Sequence, residues 1–464
     1  MSDLVDIVMP ALGPSMQTGR LVRWLVSAGD HVAAGDVIGE VESASATMEV
    51  EADDDGIIVS LLFTAGADGI QVNAPIARMR LEHGAGVAAA GGADGEPAPG
   101  RAAMMEAAPC KSGSGDDAAT DLAGGTPQLG GTSAARYITQ TMMEALRDAI
   151  AEEMRRDPDV FLIGEAVAQD AGSCTVSEGL LDEFGPRRVV DMPEGLQALT
   201  GMSIGAAYAG LKPVVDVGNW SLGLQALDHV INSAAKVHLM SGGTLAVPIV
   251  FRGTNGAAGR LGAQHSQCLS AWLAHVPGLK VVAPSSPADA KALMVAAIRD
   301  PGPVAVLETE ELYFQSGSVP CGSEAPSLIG KARVVVEGGD VTIVSYARGV
   351  HTALEAASLL DRDGIGTEVI DLRTLRPLDF DCIIASLCKT GRLVVVEDAW
   401  PVCSIGSEIC ARAAIDGFDL LVAPPQKVSA VDAPMPYAEN LERMALPDGE
   451  RVAAIARRLC SDAS

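Results

Sequence analysis

Three short stretches put reactive side chains where the chain reverses. In VESASATMEV, residues 41–50, Val41 and Glu42 on one side and Met48, Glu49 and Val50 on the other alternate as half-buried strands do. The small residues between them allow a tight turn with Ser45 at its tip. In AQHSQ, residues 263–267, His265 offers an imidazole, the side chain that titrates nearest to neutral pH. In DMPEGLQALTG, residues 191–201, Glu194 brings a carboxylate two places ahead of Leu196. The nine cysteines form no CxxC pair and lie in apolar context, so they are expected in the core as thiols rather than in disulfides or a zinc site.

The elements that must position these groups fall into four regions. Residues 1–82 hold an internal repeat: GRLVRWLVSAGDHVAAGDVIGEV from Gly19 returns as GIIVSLLFTAGADGIQVNAPIARM from Gly56. Each copy reads strand, turn, strand, turn, strand, which predicts a small all-β sandwich or flattened barrel with Ser45 between the halves. Residues 83–135 are dominated by Ala, Gly, Pro, Ser and Asp and lack the apolar side chains needed to fold, so a flexible linker is expected. From residue 136 to about 325, a helix beginning in ITQTMMEALRDAIAEEMRRDP precedes the apolar strands VFLIG, RVVDM, PVVDVG, PIVFRG, LKVVAP and VAVLET, separated by helical segments. That alternation predicts an α/β domain with a parallel sheet covered on both faces. A second, smaller α/β cycle with VTIVSYA, GTEVIDL, RLVVVED and VSAVDAP fills 326–464. The segment EELYFQSG, residues 310–317, looks like a protease tag but continues the strand-to-loop pattern and reads as native.

Lys and Arg total 33 against 60 Asp and Glu, a net charge of -27 that disfavours nucleic acid and anionic membranes as partners. No run of 18 apolar residues occurs, and the start MSDLVDIV carries acid where a leader would carry base, so a cytoplasmic location is expected.

The first region resembles a lipoyl domain, the carrier of 2-oxo acid dehydrogenase complexes, through MPALGPSM (9–16), the duplicated halves and the turn ESASATME (42–49). The resemblance implies a lysine at the turn tip, acylated by lipoate. Here Ser45 stands in that place, and the first lysine of the chain is Lys111, in the linker, so lipoate is not expected. From about Arg136 onward the chain resembles the beta subunit of the thiamine diphosphate-dependent pyruvate dehydrogenase decarboxylase. The resemblance is carried by EALRDAIAEEMRRDPDVFLIGE, QALDHVINSAAKVHLMSGG, PIVFRGTNGAA, AQHSQ, LRPLDF and APMPYAENLE. It implies a transketolase-like pyrimidine-binding domain followed by a transketolase C-terminal-like domain. It also implies an alpha subunit that holds the diphosphate and magnesium through a GDG motif absent from this chain, an alpha2beta2 heterotetramer, and an acyltransferase core as further partner.

Residue by residue, the resemblance places the cofactor-activating glutamate at Leu196, with Glu194 two places early; such an offset moves a side chain about 6–7 Å along an extended chain. It places a pyrimidine-stacking phenylalanine at Leu222, with Trp220 and Gln225 nearby, and the leucines at 196 and 222 are expected to fill the pocket with carbon. It makes His265 the remnant of the reaction-centre histidine. In the stretch after Gly164 and Glu165 it puts Ala166, Ser173 and Thr175 where relatives carry an acid, an aromatic and a base. It maps a potassium site onto Ile249, Ala297, Ile298 and Asp300. The expected function is a catalytically impaired beta-subunit homologue with a structural or regulatory role. The alternatives are an active thiamine diphosphate-dependent beta subunit and an N-terminal module, 13 acidic against 4 basic residues in 1–82, that docks to other components.

Overall fold

The computed structural model describes residues 4–10, 18–33, 35–42, 47–52, 54–72, 74–81, 137–168, 176–257, 259–322 and 329–461. Ser45, Ser173, Thr175 and the 83–135 segment lie outside the described residues. The described residues divide into two compact units, one up to residue 81 and one from residue 137.

In the first unit each copy of the repeat forms the three strands its pattern predicts. The first copy gives Thr18–Trp24, His31–Val32 and Val37–Glu42, and the second gives Gly56–Leu61, Ile70–Gln71 and Pro75–Leu81. The strands form two antiparallel four-stranded sheets, and the short middle strand of each copy crosses to the sheet of the other: His31 pairs with Ile57, and Gly19 with Ile70. Neither half can therefore complete its hydrogen bonds alone. Leu21, Ile38 and Val41 from one sheet, and Ile58, Ile76 and Met79 from the other, are excluded from solvent. Gly56 is required where the second copy begins, because a Cβ there would lie 2.5 Å from the Arg80 carbonyl oxygen.

The second unit opens with a strand, Tyr137–Thr141, where the sequence pattern predicted helix. The helix starts at Met142, because Thr141 and Glu144 form a capping box: the Thr141 hydroxyl accepts the Glu144 N–H, and the Glu144 carboxylate accepts the Thr141 N–H. Tyr137–Thr141 pairs antiparallel with Ser316–Pro320, so the tag-like segment runs directly into a paired strand, and its Tyr313 is buried.

Strands Val189–Met192, Val160–Glu165, Lys212–Asn219, Val250–Thr254, Val304–Glu308 and Lys280–Val282 form a parallel sheet in that spatial order. A seventh strand, Thr374–Arg376, comes from the smaller domain and pairs antiparallel with Lys280–Val282. Its LRTLRP context gave no sign of a crossing. The smaller domain has a five-stranded sheet, ordered Arg333–Val336, Thr367–Asp371, Val341–Ser345, Leu393–Val396, Gln426–Val428. The expected strand VSAVDAP stops at Val428, since its remaining residues leave the sheet as bends and loop. The cysteines differ from expectation as well: none of the seven described is fully buried, and Cys321, Cys388 and Cys403 are exposed. Flanking apolar residues were a poor guide because Cys388, for example, sits on the solvent side of the amphipathic helix Phe380–Thr390.

The crossing strand brings charged groups from both domains into one seam, in which Asp289 and Asp371 are buried and Arg333 reaches solvent. Asp371 accepts from the Ser285 hydroxyl at 2.5 Å, Arg333 bonds Asp289 at 2.6 Å, and Arg373 approaches Asp289 at 3.3 Å. Burial, reinforced by the Asp289 charge and opposed by Ser285 and Arg333, pushes the Asp371 carboxyl from 3.8 to about 6. The folded state therefore binds a proton that the unfolded state has released between these values, and stability falls as pH rises through that window. The shift corresponds to about 3 kcal/mol. Thermal melts of Asp371→Asn are expected to lack this loss, so that the variant gains on the wild type by about that amount from pH 4 to pH 7; parallel pH profiles would refute the assignment.

Candidate functional site

In an open parallel sheet the crossovers gather loops at the carboxyl ends of the strands, the usual place for ligands. Here that edge collects Glu165, Gly195 and Leu196, Asn219 through Leu222, Gln225 and the His265 loop. The organiser is Asn219. Its side-chain oxygen accepts the Ser221 N–H at 2.7 Å and caps the short helix Trp220–Gly223. Its side-chain nitrogen donates to the His265 carbonyl at 3.0 Å and the Thr254 hydroxyl at 3.2 Å. One amide thus fixes the helix start, the neighbouring strand and the histidine loop.

The structure places the expected residues unequally. Leu196 is the first residue of the helix Leu196–Tyr208 and is 4% exposed, packed in a core cluster with Ile163, Leu199 and Trp220. Leu222 is 39% exposed, so it does not help fill the pocket with carbon as expected, because the helix Trp220–Gly223 turns Trp220 inward and Leu222 outward. Trp220 is unavailable as a ring cover: it is buried, with its indole N–H donated to the Val306 carbonyl at 3.2 Å. Glu194 and Gln225 are exposed, and His265 is half-buried. Ser45 cannot be placed, as it lies outside the described residues.

Ile249, Ala297 and Ile298 are buried, away from this edge. The Asp300 carboxylate receives the Lys280 ammonium at 2.6 Å on each oxygen and the Gly302 N–H at 2.9 Å. The carbonyls of Ile249 and Ala297 accept backbone N–H groups from Val304 and Asp300.

Sequence reasoning passed over Glu165. Its Oε1 accepts the N–H of Gly195 at 2.7 Å, immediately before the helix that Leu196 begins. Gly195 has φ +152°, a backbone state that disfavours any side chain, which is why glycine precedes the helix. The available signal was position: Glu165 is the last residue of the strand Val160–Glu165, at the ligand-binding edge of the sheet.

The sequence matches the transketolase pyrimidine-binding domain over residues 139–315, the transketolase C-terminal domain over 330–452 and the biotin/lipoyl domain over 5–79. It is 48% identical to the pyruvate dehydrogenase E1 component subunit beta of Rhizobium meliloti (strain 1021), covering 98% of this chain and 99% of that one. This chain belongs to the pyruvate dehydrogenase E1 beta-subunit family. Pyruvate dehydrogenase E1 component beta subunits from Rickettsia bellii, at 51% identity over 69% of this chain and 98% of theirs, and from Caenorhabditis elegans (mitochondrial), at 51% over 70% and 94%, are also similar. Among solved structures, a split-gene transketolase, described as an inactive beta4 tetramer, superposes with a TM-score of 0.54 at 22% identity, over 69% of this chain and 98% of its own, a likeness of fold. No helix among the described residues is long and apolar enough to cross a membrane.

The family resemblance places a carboxylate at this helix start and a flat apolar cover for the pyrimidine half of thiamine diphosphate; position 196 supplies buried carbon and position 222 a leucine at the surface, while the Glu165 carboxylate accepts the Gly195 N–H beside Leu196. Asn219→Ala removes both a helix cap and the tie to the His265 loop, and is expected to cost about 1–2 kcal/mol. Urea denaturation should show the loss, and hydrogen exchange should quicken in 262–267; unchanged exchange there would exclude the proposed organising role.

Proposed function

We propose that this E1 beta-subunit homologue keeps the fold and partner-binding role of its family but is impaired in catalysis, acting as a structural or regulatory subunit beside an alpha subunit. One observation carries the reading: at the start of the helix Leu196–Tyr208, a solvent-excluded leucine occupies the place where the family resemblance requires a carboxylate. An aliphatic side chain can neither accept nor donate a proton, and losing such a group typically costs 10²- to 10⁴-fold in rate. The partners on this reading are an alpha subunit, in an alpha2beta2 assembly, and the acyltransferase core. The N-terminal domain serves for docking rather than acyl transfer, since Ser45 provides a hydroxyl and no amine for lipoate. Thiamine diphosphate and magnesium would enter only through the alpha subunit. A potassium ion at Asp300 would have to displace or share with Lys280.

A second reading, an active subunit, is favoured by Glu165, whose carboxylate lies against the Gly195 amide next to Leu196. The two readings separate in a decarboxylation assay of the chain reconstituted with its alpha partner. Impairment predicts wild-type turnover near background and a rise of about 10²- to 10⁴-fold in the Leu196→Glu/Leu222→Phe double variant. The same variant should melt lower in isolation, because an unpaired carboxylate is then buried. Ordinary wild-type turnover that is abolished by Glu165→Gln would instead establish the active reading.

A further inference from the structure

A cavity of about 370 Å³ lies between the two domains of the second unit, with Gly259, Arg260 and Glu311, on the loops that follow the strands Val250–Thr254 and Val304–Glu308, forming its larger-domain wall. Its walls bring three guanidinium groups together with five carboxyl groups, an excess of two negative charges. Each guanidinium is already engaged. Arg348 makes two hydrogen bonds to Asp398, at 2.8 and 2.7 Å, and lies 3.5 Å from Glu311. Arg260 bonds Glu439 at 3.0 Å, and Arg443 approaches the same carboxylate at 3.8 Å. Glu355 and Asp448 complete the acidic lining.

Glu442 is in a different position. It is 7% exposed, and its Oε2 is enclosed without any hydrogen-bond partner among the described residues. An unsatisfied buried oxygen of this kind carries a desolvation cost of about 1–3 kcal/mol, more when charged. Burial and the neighbouring Glu311 push the Glu442 carboxyl up, against the charge and backbone N–H of Arg260 and the charge of Arg348. Glu311 is itself pushed up by burial and by Asp398, against Arg348. A positive guest would relieve both carboxyls, whereas an anion would meet guanidiniums already neutralised.

We propose that this cavity binds a primary ammonium group, with Glu442 as its principal acceptor and Glu311 beside it. A metal ion is the poorer guest, because no three His, Cys, Asp or Glu among the described residues are arranged to hold one. An ammonium needs only hydrogen-bond acceptors for its three N–H groups. The volume suits a small amine or the end of a lysine side chain. Either source presents the same chemistry, a free amine or a lysine of the partner subunit. The inference stands on the cavity alone and is independent of whether the sheet-edge site is active.

Calorimetric titration of the full-length chain with 1,4-diaminobutane, with butanol as the uncharged control, tests it. Saturable binding of the diamine only is expected, at least tenfold weaker in Glu442→Gln. Glu311→Gln serves as the second variant should Glu442→Gln misfold. Repeating the titration on the complex with the alpha partner separates the sources. Persistent binding identifies a free amine. Exclusion of the diamine, together with weaker assembly of Glu442→Gln, identifies a partner lysine. Absence of saturable binding in both forms, or equal binding by wild type and both variants, overturns the proposal.

Discussion

A guanidinium can lie inside a parallel sheet only if its charge is met by neighbours, and Arg252 imposes that condition on the second unit. It is 4% exposed and makes hydrogen bonds to Glu308 on the next strand, to Asp216 on the strand opposite and, at 2.9 Å, to the Tyr313 hydroxyl. Tyr313 in turn donates to Glu308 at 2.5 Å, and burial together with the Glu308 charge pushes its phenol well above the ordinary range. These bonds are compatible with one register, Asp216 opposite Arg252 opposite Val306, because a slip of one residue would point the charges to the other face. Beyond Asp216 the pairing shifts by one residue, an irregularity that sets Asn219 opposite Thr254, from which the cap and the His265 loop follow.

The framework that holds the sheet edge is thus separate from the side chains that would do chemistry there. Leu196 joins the core cluster and contributes about 1.5–3 kcal/mol by burial, a favourable term where a carboxylate would need a partner. Leu196 shares its core cluster with Trp220, the first residue of the helix that Asn219 caps, so an aliphatic side chain at 196 packs against the framework that Asn219 sets. Functional groups are commonly held at a cost to stability, and their loss leaves a fold intact or better packed.

Periodicity and repetition made most of this architecture legible. The offset copies in the first region foretold six strands, although not that each middle strand would cross to the opposite sheet, because exchange between similar halves leaves the alternation unchanged. The apolar runs from Val160 to Leu307 foretold the parallel strands, while Thr374–Arg376 was missed because a three-residue edge strand has too short a pattern to register. The burial of Leu196 was legible from its aliphatic type. The site was illegible where orientation decides: only the geometry of a four-residue helix shows that Trp220 points inward and Leu222 outward. Glu165 and Glu442 were missed for a related reason, since their importance lies in which amide is bonded, or which oxygen is left over.

The boundary between the two domains of the second unit is consequently more than a connection. Thr374–Arg376 is hydrogen-bonded into the larger sheet, and the Arg373 guanidinium on the same segment reaches Asp289 at the start of the helix Pro287–Arg299. Separating the domains would break a strand pairing and expose the Asp371, Asp289 and Arg333 cluster together, so the boundary resists opening as a hinge. Charge placed at this boundary must then be balanced locally rather than by movement. At the seam Arg333 and Arg373 provide the balance for Asp289 and Asp371. In the cavity lined by Glu442 the available cations are committed to Glu439 and Asp398, so the remaining negative charge can be met by protonation or by a cation from outside, and the first gives way to the second as pH rises.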